Sequence, residues 1–446
     1  MAQRNPGPDA HLPNVKVLGV LLGALALCYP VLSNGFPFMY PDTCTYLDAG
    51  FSGRVSDIRP ATYGFLLRHL SLRESLWPVV FAQALMISWC VHALCRALAP
   101  GAHPLLPAGI LLLLTLFTRV GTVVGMMMPD AFTPVLLICT TLLMTVDRLP
   151  RVTLWSCLVL TTLSCAMHHS HTPILITLLL SGVVARKVMP AALPRLLRWR
   201  AVLIAMAIGH LAIPTIHMAM DGGFRWSSAS SIFLVNRLHQ HGLLVPFLRR
   251  ACANEDHILC DHKDDLPGDL LWDDRSPLNT GGTWSQHEPA FRTLATSALL
   301  DPATTGQFLL RTIEVTVVQF FMFEGELLVP VEGWSWSFDS LRQHLPKTIT
   351  ACTKGRQYRG QWDRSMEDVL QRFSVMSALA FCVFLIGRTS QHGGDAWVGA
   401  ALLIILGLMA NALICSGVSM ADVRFQNRVA WMIPLLACIH LMRSAR

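Results

Sequence analysis

The chain is short of charge. Asp, Glu, Lys and Arg make up only 14% of its 446 residues, against about 25% in a soluble globular protein. Hydrophobic residues make up 53%. A soluble surface cannot be covered from that balance, so the apolar excess must face lipid. The chain also lacks the loops that hold nucleotides: it has no Walker loop and no G-x-G-x-x-G turn opening a helix. ATP-driven transport and dinucleotide redox chemistry are left without support. There is no H-E-x-x-H and no G-x-S-x-G elbow, so the familiar protease chemistries are unsupported too. The 13 cysteines include no C-x-x-C pair, and zinc-ligand spacing is absent. No internal repeat occurs, which disfavours the commonest transporter architectures.

Apolar stretches are abundant. They lie near 17–33, 76–96, 104–118, 131–146, 152–167, 173–186, 201–219, 370–387, 396–415 and 427–442. A span needs about 20 apolar residues, and several of these are shorter. The expected fold is an all-α polytopic membrane protein with about ten transmembrane helices. The net charge of +7 does not mark a nucleic-acid partner, because the basic residues sit between apolar stretches. Arg148, Arg151, Arg186, Lys187, Arg195, Arg198, Arg200, Arg388, Arg443 and Arg446 all share one side if the N-terminus is inside. That is the positive-inside pattern. Both termini are then cytoplasmic. The opposite face receives 34–75, 119–130, 168–172, 220–369 and 416–426. The first apolar run has no clean cleavage site after it and reads as an uncleaved span.

Three parts follow: a transmembrane module over 1–219, a periplasmic or interfacial segment over 220–369, and C-terminal transmembrane helices over 370–446. Within the long segment, Phe308 to Val331 is apolar but interrupted by Glu314, Glu324 and Glu326. Ten spans already satisfy the charge rule, so this stretch is expected to be interfacial or re-entrant. Cys252 and Cys260 lie in polar sequence and are disulfide candidates on an oxidising side. Most other cysteines fall in apolar stretches, as small hydrophobes do.

The first outer loop carries Asp42 directly after Pro41, opening a short amphipathic pattern. A carboxylate there suits a helix N-cap; it also suits a general base or a metal ligand facing a cavity. Asp48 reads as a solvated surface acid. Asp130 repeats the Pro-Asp device at the lip of the next span. Acids there are expensive unless they cap or serve a site. Asp42 and Asp130 together could flank an acceptor or hold a divalent cation. Arg119 is a substrate-binding candidate or a snorkelling interfacial residue. His168, His169 and His171 form a turn that could bind substrate, phosphate or, with two imidazoles, zinc. Arg424 and Arg428 stand on the outer side, against the charge bias. Bidentate pairing to phosphate or pyrophosphate explains them; pairing with Asp422 or a Glu of the long segment explains them equally.

These residues together resemble the GT-C superfamily of polytopic glycosyltransferases, which includes protein mannosyltransferases and lipid A aminoarabinose transferases. Many bacterial members read Pro-Asp-Ser-x-x-Tyr-Leu, then Arg-Pro-Pro-x-Tyr-Pro, then a span containing Gln. This chain reads Pro41-Asp42-Thr43-Cys44-Thr45-Tyr46-Leu47, then Arg59-Pro60-Ala61-Thr62-Tyr63-Gly64, with Gln83 in the second span. Pro129-Asp130 is similar to the family's second-loop acid, and Arg424-Phe425 to its Arg-Tyr before the last span. Ala61 and Phe425 depart from the pattern. The likeness covers about the first 150 residues and the last span region. It implies a transferase taking sugar from a polyprenyl-phosphate donor and passing it to an envelope lipid, glycan or protein on the periplasmic side of a bacterial inner membrane. In that picture Asp42 is the base or a metal ligand, Asp130 assists, Arg59 and Tyr63 contact substrate, and Arg424 holds the donor phosphate. Inversion at the sugar would need one base.

Two other classes compete. One is an acyl- or phospho-group transferase on the same scaffold, with the three histidines as bases. The other is a transporter or envelope assembly protein without chemistry, which would place ionisable residues at mid-span.

Overall fold

The computed structural model describes residues 13–193, 195–221, 223–323, 328, 335–362, 365–389 and 395–444. Glu324, Glu326, Val331 and Arg446 lie outside the described residues. The chain begins with α1 (Pro13–Leu27), α2 (Tyr29–Asn34), α3 (Thr43–Ser52), α4 (Ala61–Ser71), α5 (Trp77–Leu98), α6 (Leu106–Phe117) and α7 (Val120–Gly125). It continues with α8 (Phe132–Thr145), α9 (Arg151–Met167), α10 (His171–Val188), α11 (Trp199–Asp221), α12 (Ser230–Gln240), α13 (Leu244–Ala251) and α14 (Trp284–Leu300). The remainder forms α15 (Pro302–Phe321), α16 (Ser335–His344), α17 (Ile349–Lys354), α18 (Ser365–Thr389), α19 (Ala396–Val418), α20 (Val423–Ala430) and α21 (Met432–Ser444).

Five of these, α5, α10, α11, α18 and α19, are long and apolar enough to cross a membrane. Shorter apolar helices lie at Asn14–Leu27, Leu106–Phe117, Pro129–Thr145 and Arg151–Met167. Large apolar side chains point outward from the long helices: Ile204, Ile208 and Leu211 on α11, Val369, Phe373 and Phe384 on α18. Outward apolar faces of this extent are what a lipid environment requires. α19 begins on a true cap, with the Asp395 carboxylate accepting from the Trp397 and Val398 N–H groups.

The segment over 220–369 is not one unit. Residues between Ala229 and Ala298 close a separate apolar core, stapled by a disulfide between Cys252 and Cys260. In contrast, Leu341, Leu345 and Cys352 join the main core, and Gln357 ties to Met39 by its amide, donating to Met39 O at 2.7 Å and accepting its N–H at 3.0 Å. The stretch 335–362 is therefore a floor under the segment over 34–75. Between the two, α15 packs against α19 and keeps Leu310, Ile313 and Val317 exposed.

The segment over 34–75 is fixed by a crossing of α3 and α4. A Cβ on Gly50 would stand 2.1 Å from the Gly64 carbonyl oxygen, and one on Gly64 would stand 2.4 Å from the Tyr46 carbonyl oxygen. Only hydrogen fits at either position. Gly64→Ala is expected to cost about 1–3 kcal/mol through overpacking, read as a lowered thermal unfolding midpoint of the chain in detergent. Gly109→Ala, where a Cβ meets nothing within 4 Å, should leave the midpoint unchanged or raised.

Candidate functional site

The loops before α3 and before α8 are laced together first. The Phe38 N–H donates to Gly125 O, and the Met127 N–H donates to Phe38 O, both at 2.9 Å. This bridge sets the Pro41-Asp42 step beside the Pro129-Asp130 step. From the far end of the chain, α20 presents Arg424 and Arg428, which share one face because they are four residues apart.

The charges then meet. Asp42 Oδ2 accepts from Arg59 Nη2 at 2.7 Å and from Arg424 Nη1 at 3.1 Å. Asp130 Oδ1 stands 3.3 Å from Arg428 Nη1 and 3.6 Å from Arg424 Nε. Arg424 thus bridges the two acids. Its guanidinium lies 4.5 Å from the centre of the Tyr40 ring and 4.9 Å from that of Phe425, a cation–π sandwich. Arg428 donates to Asn411 Oδ1 at 2.7 Å. Asp130, Arg424 and Arg428 are buried, while the Asp42 side chain keeps 14% of its surface. With Asp422, whose carboxylate accepts the Arg424 backbone N–H, three guanidiniums face three carboxylates and the cluster is formally neutral. Burial pushes the Asp42 carboxyl up, but the Arg59 and Arg424 charges outweigh it and hold the group below its ordinary 3.8. Burying charges such as Asp130, Arg424 and Arg428 costs several kcal/mol per ion before pairing. Guanidiniums converging on the part-exposed Asp42 suit an anionic ligand with phosphate geometry.

Asp42 precedes α3, but its carboxylate makes no cap hydrogen bond and faces the guanidiniums instead. Tyr63 does not reach a cavity: it is fully buried and its hydroxyl donates to Gln83 Oε1 at 2.8 Å. Gln83 in turn donates to Val124 O at 2.7 Å, so the pair fixes the segment over 119–130. Arg119 belongs to another place, ion-paired with Asp368 and donating its N–H to Gln371 Oε1 at 2.8 Å. Arg424 pairs with Asp42 and Asp130; Asp422 caps α20 by accepting the Arg424 backbone N–H. Asp48 is half exposed and meets His344 Nε2 at 2.9 Å.

The three histidines separate. His171 is consumed by structure, with Nδ1 at 2.5 Å from Ser164 O and Nε2 at 2.8 Å from Thr133 Oγ1. His168 Nδ1 meets Ser170 Oγ at 2.8 Å. His169 keeps a buried Nε2 without a partner. Burial, then the Arg59 charge, push its imidazole down to about 3, so it is neutral at physiological pH. Among the described residues no three His, Cys, Asp or Glu side chains converge as metal ligands. Asp42 and Asp130 face guanidiniums, a poor fit to a divalent cation that needs several oxygen ligands.

Two members of the cluster were given no site role by sequence. Tyr46, read there only as part of the Pro-Asp motif, places a buried hydroxyl with no partner among the charges of Arg59, Asp42 and Arg424. Asn411 sits fully buried in α19, and a polar residue inside an apolar span was the available signal for it.

No family model, curated protein or solved structure matches this chain.

Proposed function

We propose that the chain is a glycosyltransferase of about ten spans and GT-C-like architecture. It moves a sugar from a polyprenyl-phosphate donor to an envelope acceptor at the outer face of a bacterial inner membrane. The observation that carries this reading is the clamp on Asp42 by Arg59 and Arg424. It joins a base and phosphate-binding cations at one lip of the apolar bundle.

In the free protein the two guanidiniums keep Asp42 ionised. A donor phosphate competes for the same guanidiniums, and each hydrogen bond it takes raises the proton affinity of the carboxylate. Asp42 then accepts the proton of the acceptor hydroxyl as that oxygen attacks the anomeric carbon. The bond from that carbon to the phosphate oxygen breaks. The phosphate leaves with the electron pair, and Arg424 and Arg59 offset its developing charge. Direct displacement inverts the anomeric centre.

Lipid and glycan profiling of a deletion strain tests the class: one envelope component should lose a sugar, and an unchanged profile would sink the reading. Within the site, Arg424→Ala should weaken donor binding about ten- to hundredfold, the worth of hydrogen bonds to a charged group. Arg119→Ala, outside the cluster, should leave donor affinity near wild type. Equal effects on titration with the donor would contradict the assignment.

A further inference from the structure

A second cationic cluster lies away from the Asp42 cluster, at the C-terminal end of α12, which packs on α14 and α19 and touches α15 through the ring of His241. Arg237 on α12 is 4% exposed and has no acidic partner among the described residues. Its guanidinium makes one side-chain contact, donating to the neutral Gln240 Oε1 at 2.7 Å, and its Nε is unpartnered. Asn236, in the same turn, is fully buried with both Nδ2 and Oδ1 unpartnered. His241 follows Arg237 by one turn and feels its charge; its Nε2 is also buried and unpartnered. The His241 ring meets the Phe308 ring of α15 edge-on at 5.5 Å. One turn beyond Phe308, Thr312 holds another unpartnered buried hydroxyl close to Gly417 at the end of α19.

Buried polar groups are nearly always satisfied, and a buried charge requires a counter-charge. Here a buried cation without an ion-pair partner among the described residues shares one helix end with several unpartnered polar groups, and the nearby Glu314, which acts on His241, is already paired with Arg311. We infer that Arg237, Asn236 and His241 form a binding site for a phosphate-bearing ligand, completed by Thr312. The guanidinium supplies the planar fork that phosphate oxygens match. Asn236 Nδ2 and the Thr312 hydroxyl add donors, and Asn236 Oδ1 suits a hydroxyl on the same ligand. The outward face of α15, with Leu310, Ile313 and Val317 exposed, sets apolar surface on the same helix. That arrangement fits a lipid phosphate, though free phosphate shares the chemistry. The site does not depend on the reading given to Asp42.

The test uses the full chain purified in a phosphate-free detergent. Its thermal unfolding midpoint is followed during titration with inorganic phosphate, phosphatidylglycerol or phosphate-free diacylglycerol. Wild type should gain stability with a phosphate-bearing probe and not with diacylglycerol. A shift with phosphatidylglycerol alone identifies a lipid headgroup site; an equal shift with inorganic phosphate identifies a free-anion site. Arg237→Gln should raise the half-saturating concentration about tenfold or more. Gln240→Glu guards against misfolding of that variant. It places a carboxylate where the Gln240 amide oxygen already accepts from Arg237 at 2.7 Å, so the ligand-free midpoint should rise while the ligand-induced shift disappears. The inference is overturned by equal half-saturation in wild type and both variants, by no response of wild type to either phosphate probe, or by a lowered ligand-free midpoint in Gln240→Glu.

Discussion

Asp42→Asn is expected to lower sugar transfer from a polyprenyl-phosphate donor by about 10²–10⁴-fold, the usual worth of a positioned general base, with the protein still present in the membrane. The amide keeps the shape of the carboxylate and an acceptor oxygen for Arg59 or Arg424. It cannot take the acceptor proton. The substitution removes one negative charge from the cluster and leaves a guanidinium in excess. The Asp42 side chain retains 14% exposure, so water softens that imbalance. Transfer assays on membranes normalised to protein level measure the effect, and wild-type turnover in the variant would remove Asp42 from the chemistry. The pH profile adds a sign. A carboxylate held below 3.8 is ionised above that value and becomes protonated only as pH falls through its lowered value. The free enzyme's kcat/KM should therefore show no acid limb from Asp42 at or above pH 3.8. Arg424→Ala removes one of the two charges that lower it, so the limb should move upward.

Asp130→Ala is expected to act on the fold more than on the chemistry. Asp130 keeps 2% of its side-chain surface and Arg428 keeps 1%. Removing one partner of a buried ion pair costs about 3–5 kcal/mol, because the other charge is left uncompensated. The chain should show a sharply lowered unfolding midpoint and reduced membrane abundance. The combined change Asp130→Ala with Arg428→Met removes the stranded charge and should recover much of the loss. If the double variant is no more stable than the single one, the uncompensated-charge account fails.

The chemistry-bearing ends of the site were legible where local sequence carries its own physics. Pro41-Asp42 and Pro129-Asp130 each place an acid at a helix start, and Arg424 and Arg428 oppose the charge bias of the spans. Their partners were not legible. Asp42 and Arg424 are separated by 382 positions, and Asp130 and Arg428 by 298. No local periodicity encodes such a meeting; the register of α20 against two loops decides it. The same limit misassigned Tyr63, whose place opposite Gln83 depends on how α4 lies on α5. His171 shows the complementary error. Its type suggested chemistry, but its surroundings use both ring nitrogens as structural links. The fold divided likewise. Hydropathy located the long apolar helices α5, α10, α11, α18 and α19, whereas the split of 220–369 into a separate core and a floor for the first loop rests on contacts that composition does not reveal.

The Gly50–Gly64 crossing has a mechanical meaning for the clamp on Asp42. Backbone rests on backbone there, with no side chain between α3 and α4 to compress or change rotamer. Asp42 precedes α3 and Arg59 precedes α4, so their separation is tied to a joint without slack. Arg424 reaches the same carboxylate from α20, an eight-residue helix buried from Arg424 to Ala430 and held by the Asn411 amide donating to Phe425 O at 2.7 Å and by the Gln319 amide pairing with the Asp422 backbone. Both sides of the clamp are footed in packed structure, and a ligand reaching Asp42 meets a pre-set pair of guanidiniums.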